Sequence, residues 1–200
     1  MTRIWRYVLK VDAGIAPCPQ AARLSLCCCK PVIRRYAKVG DWVIGFVPKG
    51  LGLGKIAWAG RVSKAILLGD YQLNFPKRAD AIYRRVDFTS EGIEVLEPLP
   101  LRLPYPGYHA DNLSRSRDQR GRRALLFEPF WYWGQNAVEA PPNIAEMAHY
   151  HPGQSTKNSW PDRVNQLESW LRSVIEPGIH GRPRDPFRTK TTANEKRRAC

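Results

Sequence analysis

The chain of 200 residues holds no run of about 18 apolar residues, so no stretch is long enough to cross a membrane as a helix. Its opening decapeptide, Met-Thr-Arg-Ile-Trp-Arg-Tyr-Val-Leu-Lys, places cations where a secretory leader needs an apolar core, and the expected location is the cytoplasm. A phosphate-binding loop is missing too. Gly50 to Gly54 lead through Lys55 into a β-type sequence, whereas such a loop needs Gly-Lys-Ser/Thr opening a helix. There is no nucleophile elbow, and no Ser-His-Asp set can be assembled by motif. Histidine is scarce, at 109, 149, 151 and 180. His149 and His151 alternate as a strand-borne metal pair would, but no third ligand lies near them, and neither a metal nor a cofactor is expected. The five cysteines stand at 18, 27, 28, 29 and 200. A consecutive trio lacks the spaced pairs of a zinc knuckle, and an odd count does not suit a disulfide framework. The trio reads as small buried hydrophobes. Cys29 keeps a second reading as a reactive thiol, because Lys30 and a helix start at Pro31 would favour its thiolate.

Acidic residues are few: 18 Asp and Glu against 32 Lys and Arg, a formal charge of +14. Both halves share the excess. A basic surface of this size attracts polyanions, and DNA, RNA or a nucleotide is the expected partner. What is plentiful is apolar and aromatic material. A hydrophobic fraction of 43% with seven Trp, eight Tyr and six Phe supports a true core and excludes a disordered chain. The length fits one domain.

Residues 3–11 read as a first strand and 12–29 as a loop broken by Gly14, Pro17 and Pro19. Pro31 suits the first position of a short helix over 31–38. Val39-Gly40-Asp41 turns the chain into strand 42–47, and a glycine-rich hairpin returns it as strand 55–64. A helix over 65–75 and short strands over 82–88 and 92–96 follow. Residues 98–123 look irregular, with five arginines at 115, 117, 120, 122 and 123. Residues 124–127 and 131–134 look like closing strands. The clearest helix covers 161–176, with Ser159 as cap, Asp162 in its first turn, and Val164, Leu167, Leu171 and Val174 at helical spacing beside Trp170. Residues 181–200 read as a flexible basic tail, leaving 1–180 as the single domain. Many short strands with few helices predict an α+β fold built on a small β-barrel with flanking helices.

Three groups of side chains carry candidate chemistry. Lys30, Arg34 and Arg35 offer a point charge and two guanidinium forks for phosphate. Their alternative is a solvated charged face. Asp12, Asp41 and Asp111 offer acceptors for an exocyclic amino group of a base, with Asp41 better explained as a cap on the turn before strand 42–47. Phe130-Trp131-Tyr132-Trp133 alternates, so Trp131 and Trp133 share one face and Phe130 and Tyr132 the other. One pair enters the core; the other covers it or stacks on a base.

Lys38-Val-Gly-Asp41-Trp-Val-Ile-Gly-Phe46 followed by Ile56-Ala-Trp-Ala-Gly-Arg-Val62 resembles the PUA-like group, which includes EVE and ASCH domains. A wider set resembles the nucleotide modification associated domain 2 family: Asp12-Ala-Gly-Ile-Ala-Pro17-Cys-Pro19, Cys29-Lys-Pro-Val-Ile-Arg34-Arg35, Gly40-Asp41, Asp80-Ala-Ile-Tyr83, Asp111-Asn112, Phe130-Trp-Tyr132-Trp-Gly134, Trp170-Leu171 and Gly181-Arg-Pro183. The likeness spans residues 3–183. Cys18 stands where the family tends to have Asn, and Leu24 where it tends to have a second cysteine. Trp131 and Trp133 replace smaller aromatics. The resemblance implies an association with phage and bacterial DNA-base hypermodification, and brings Tyr83 and Asn112 into the candidate site. The expected function is recognition of nucleic acid or a nucleotide with a modified base. The alternatives are a base-modifying enzyme using Asp12, Cys29 and Asp111, and an interaction module for a modification enzyme.

Overall fold

Asp41 starts the organising strand. In the computed structural model, which describes residues 2–99, 111–149 and 161–185, its carboxylate accepts the backbone N–H groups of Arg3 and Lys38 and the indole N–H of Trp5, each at 2.9 Å. Those three bonds align β1 (Ile4–Val8) beside β4 (Trp42–Phe46) in parallel register, Ile4 opposite Trp42 and Val8 opposite Phe46. Asp41 is thus a turn cap. Parallel neighbours need a long crossover. Here it holds β2 (Cys18–Gln20), β3 (Arg23–Leu26) and α1 (Pro31–Tyr36).

Two long strands carry the sheet. β5 (Lys55–Leu67) pairs with β4 on one side and along β8 (Arg123–Tyr132) on the other. Register shifts around Gly60, Val62 and Lys64 bend the pair, opposite the stretch of β8 where Pro129 has no N–H to give. The path runs β1-β4-β5-β8-β3-β2, with β9 (Val138–Glu139) added to β5 and β10 (Gly178–Ile179) to β8. A separate hairpin is formed by β6 (Tyr83–Phe88) and β7 (Glu94–Pro98). The α+β class stands. The sheet is open, however: among the described residues no ladder joins β1 to β2, so the expected barrel does not close.

The loop expected over 12–29 contains the β2–β3 hairpin. Its turn is made by Ala21 and Ala22, at φ 51° and 54°, in place of the Asn-Gly that announces such turns. Pro19 misleads as well, being tolerated because β2 is an edge strand. β8 is one strand rather than two, and the irregular arginine stretch contains α3 (Asn112–Gln119). The helix expected over 65–75 is α2 (Leu68–Asn74), since β5 continues to Leu67. Towards the C-terminus lie α4 (Pro142–Ala145) and α5 (Val164–Val174), the latter preceded by a tight turn at Pro161–Arg163. Ser159, His109, His151, Cys200 and the tail beyond 185 lie outside the described residues.

Both faces of the sheet are covered, so β4 is buried at every position. Trp5, Tyr7, Val43, Trp58, Phe127, Phe130 and Tyr132 fill the inner face, where Ile33 of α1 and Ala37, the residue that ends it, pack. Ile4, Trp42, Ile44, Trp131 and Trp133 fill the outer face under Ile144, Met147, Val164, Leu167 and Leu171. Glu168 of α5 accepts the Trp42 indole N–H at 2.9 Å and fixes the helix to the sheet. No helix among the described residues is long and apolar enough to cross a membrane.

Candidate functional site

Alternation along β8 decides which aromatics meet polar partners. Trp131 and Trp133 turn to the outer face, where the Trp131 indole donates to the Ile175 carbonyl at 2.6 Å and Trp133 packs on Trp170 and His180. Both are buried, so neither offers a ring for stacking; they complete the core under α5. Tyr132 turns inward. Its hydroxyl lies 2.9 and 2.8 Å from the two carboxylate oxygens of Asp12, which is itself buried.

The remaining contacts of Asp12 come from backbone. Gly14 N–H approaches at 3.4 Å and Arg184 N–H at 3.5 Å. The segment from Gly178 to Asp185 supplies the second of these. After β10 joins β8, His180 N–H bonds the Tyr132 carbonyl and Gln135 N–H bonds the Arg182 carbonyl. Asp185 then exchanges bonds with Asp12: its carboxylate accepts Asp12 N–H at 2.9 Å, and its N–H donates to the Asp12 carbonyl at 2.8 Å. Arg184 donates from Nη2 to the carbonyls of Leu9 and Lys10. This strap needs glycine at three crossings, one of them Gly181, where a Cβ would strike the Trp133 carbonyl. A Cβ on Gly14 (φ 74°) would stand 2.7 Å from Pro183 Cγ, and one on Gly134 (φ 57°) would strike the Arg182 carbonyl. Residues 181–185, read from sequence as the start of a loose tail, are therefore strapped to the Asp12 loop.

Burial pushes the Asp12 carboxyl above its ordinary value, and the Tyr132 hydroxyl bond pulls it partly back. Burial, then the charge on Asp12, pushes the Tyr132 phenol far up, so it stays protonated and donates. Beside them, Tyr7 accepts the Trp58 indole N–H at 3.0 Å, and Lys30 Nζ stands 4.7 Å from the centre of the Tyr7 ring. Burial raises the Tyr7 phenol as well, with Asp12, Cys29 and Cys28 adding to the effect. Cys29 and Lys30 take left-handed backbone, φ 54° and 43°, in consecutive non-glycine residues. Each such residue costs about 1–2 kcal/mol, and the Cys29 carbonyl is held by Arg34 Nε at 2.6 Å. A bond to Cys29 and then burial push the Cys28 thiol well above its ordinary range.

The structure thus gathers Asp12, Cys29, Lys30 and Tyr132 around Tyr7. It does not gather the rest. Arg34 is fully buried, and it donates to the carbonyls of Cys29, Arg123 (2.9 Å) and Asp118 and to the Asp118 carboxylate at 2.8 Å. That guanidinium joins α1 to α3 and β8, and is not presented to a phosphate. Arg35 is exposed, with its guanidinium against Tyr36. Asp111 is the N-cap of α3, accepting Ser114 N–H at 2.8 Å. Asn112 accepts from Arg115 at 2.9 Å. Tyr83 is buried beside Cys28 and Ile15, and its phenol is raised by burial. Among the described residues no group of three or more His, Cys, Asp or Glu could hold a metal ion.

Tyr7, Arg184 and Asp185 were not singled out from sequence. The only signal for the last two is Gly181-Arg-Pro183, whose glycine and proline let the strap cross at close range. No curated protein and no solved structure matches the chain. The model of one family does match, over residues 1–90 and 105–191, which takes in the Asp12 loop, the Cys29-Lys30 corner, Tyr132 and the strap; the chain belongs to the nucleotide modification associated domain 2 family.

Proposed function

We propose that this protein binds a nucleotide unit carrying a modified base, free or within nucleic acid, as part of a base-modification system. One observation carries the reading: Asp12 is buried, yet no Lys or Arg side chain among the described residues forms an ion pair with it. A carboxylate accepting one hydroxyl and two long backbone bonds keeps acceptor capacity for the amino edge of a base. Lys30 supplies a positive charge over the neighbouring Tyr7 ring, the Arg184 charge favours the ionised form of Asp12, and the family's association with nucleotide modification narrows the ligand class. A PUA-like kinship of the sheet, supported by the Gly40-Asp41 strand start, belongs to the same reading.

The test is calorimetric binding of nucleoside monophosphates bearing plain and modified bases, paired with mass spectrometry of what co-purifies. Asp12→Asn should weaken the preferred ligand at least about tenfold, or about 1.4 kcal/mol, and flatten discrimination between bases. Undiminished affinity in that variant would remove Asp12 from the site.

A second reading, a base-modifying enzyme, draws on the strained Cys29-Lys30 backbone, since left-handed non-glycine residues concentrate at working sites. It draws on Asp12 and Cys29; Asp111, the third candidate, is the exposed N-cap of α3, where it accepts Ser114 N–H at 2.8 Å. Turnover that survives Cys29→Ser would end it.

A further inference from the structure

Between Asp12 and Asp41 the sequence holds no acidic residue, and between Asn112 and Phe127 only Asp118. The fold brings these two acid-poor stretches together. The Arg123 guanidinium donates to the carbonyls of Arg34, Arg35 and Ala37 at the C-terminal end of α1. Gly121 lies directly over the Arg34 guanidinium, and Asp118 is buried against that same group. The one carboxylate within these two stretches is thereby consumed inside. Outside it stand Arg35, Lys38, Arg117, Arg120 and Arg122, all exposed, and none in ion-pair contact with a carboxylate among the described residues.

Elsewhere the charge is dispersed: some cations have carboxylate partners, while others, among them Lys49, Arg61, Lys64 and Arg172, are exposed without an ion pair among the described residues but do not come from two such acid-poor stretches brought together. Arg84 pairs with Glu97, Arg85 with Asp70 and Glu94, Arg163 with Glu146, and Lys55 with Glu139. Five unmatched cations on one corner repel one another, and a polyanion laid across them removes that repulsion while releasing its own counterions.

We infer that the α1–α3 corner is a docking surface for the sugar-phosphate backbone of nucleic acid. The inference rests on the proposed nucleotide reading of the Asp12 centre and sharpens it: the unit to be read arrives within a polymer. The geometry suits this. Lys30 immediately precedes α1 and Arg35 lies near its other end, so six helical residues, about 9 Å, separate the reading centre from the cationic corner. That length equals about three phosphates along one strand. The backbone contacts made here carry no sequence information; they position the strand, and the Asp12 centre discriminates.

The test compares the full-length protein with the triple variant Arg117→Gln, Arg120→Gln, Arg122→Gln. Binding to a short DNA duplex, to the same strand alone and to the free mononucleotide is measured across a salt series. The variant should lose about 10- to 100-fold in affinity for both polymers, and the slope of log affinity against log salt should fall by about two to three. Mononucleotide binding should stay as it was, which also shows that the variant is folded. The triple Arg→Lys variant should restore most of the slope. An unchanged slope for both polymers overturns the corner and leaves the Asp12 reading standing. Mononucleotide affinity falling in step with polymer affinity overturns it too, because the corner would then act through the fold or the reading centre. Equal affinity for polyglutamate does the same, since it marks a surface indifferent to phosphate. Asp12→Asn gives the independent control: base discrimination is lost while the salt slope persists.

Discussion

Two buried aspartates of this protein each receive a tyrosine hydroxyl, and they differ in what else reaches them. Asp80 accepts Tyr71 at 2.8 Å and Ser25 at 2.6 Å, with Arg78 Nε 3.4 Å away. Arg78 also donates to Tyr71, to Ser25 and to the carbonyls of Cys18 and Gln20, tying the β2–β3 hairpin to the loop after α2. Asp12 has the tyrosine but no guanidinium partner, and its other contacts come from a loop and a strap. A buried carboxylate alone therefore identifies nothing. Where charge and hydrogen bonds are matched, as at Asp80, the group closes a structural network. Where a lone pair remains on offer next to a backbone-built wall, as at Asp12, a ligand has something to complete.

The hardest blow to this contrast comes from Arg78→Met. It strands the Asp80 charge in the interior, and removing one partner of a buried pair costs about 3–5 kcal/mol. Urea unfolding should show that loss, while the double variant Arg78→Met, Asp80→Asn should recover part of it. If Arg78→Met cost less stability than any substitution of Asp12, the division of labour drawn here would be wrong.

Asp12→Asn probes the other side. Asn keeps the shape and an acceptor for Tyr132 and removes a buried charge that has no direct ion pair, only the more distant Arg184 charge, so stability should change by no more than about 1 kcal/mol while ligand affinity falls. The same substitution has a signature in pH. Asp12 has a raised pKa in the folded protein, so above the ordinary carboxylate value of about 3.9 the native state holds a proton that the unfolded chain has released. Stability from this group is full below that value and is lost as pH climbs through the raised one. Asp80 and Glu94 shift in the same direction and keep part of the slope. The variant's stability should thus decline less steeply with rising pH than that of the parent; identical curves would mean that Asp12 titrates normally.

Much of this was legible in the chain. The Gly40-Asp41 strand start, the inward and outward alternation of residues 130–133 and the α5 stripe of Val164, Leu167 and Leu171 follow from periodicity and cap chemistry and hold in the structure, whereas Val174, expected in that stripe, is exposed. Asp12 and Lys30 were visible as candidates because they flank a loop rich in turn formers. What could not be read was the outcome of distant pairing. Arg34 looks like a phosphate fork until Asp118, 84 residues away, takes it. Trp131 and Trp133 look like stacking rings until α5 covers them. The strap reads as tail because its anchor, Asp185, makes its bonds across 173 residues, a separation that no local pattern records. The Ala21-Ala22 turn hid a hairpin because alanine seldom takes left-handed backbone and so gives no warning of it.

Tyr132→Phe gives the finest cut. The ring stays in the inner core, so packing is preserved, and what goes is one hydroxyl donated to a buried carboxylate. That bond should be worth about 0.5–1.5 kcal/mol of stability when Asp12 is ionised. Because it pulls the Asp12 pKa down, its loss should lift that pKa further and extend the pH range over which stability declines. Affinity should then split by ligand. As pH falls through the raised Asp12 pKa, a base presenting an amino group to the ionised carboxylate should lose affinity sooner than it does with the parent, whereas one presenting a carbonyl should gain sooner. A uniform loss for both kinds of base would mean that Tyr132 only shapes the pocket; opposite shifts would mark the Asp12 proton as the element that tells one base edge from another.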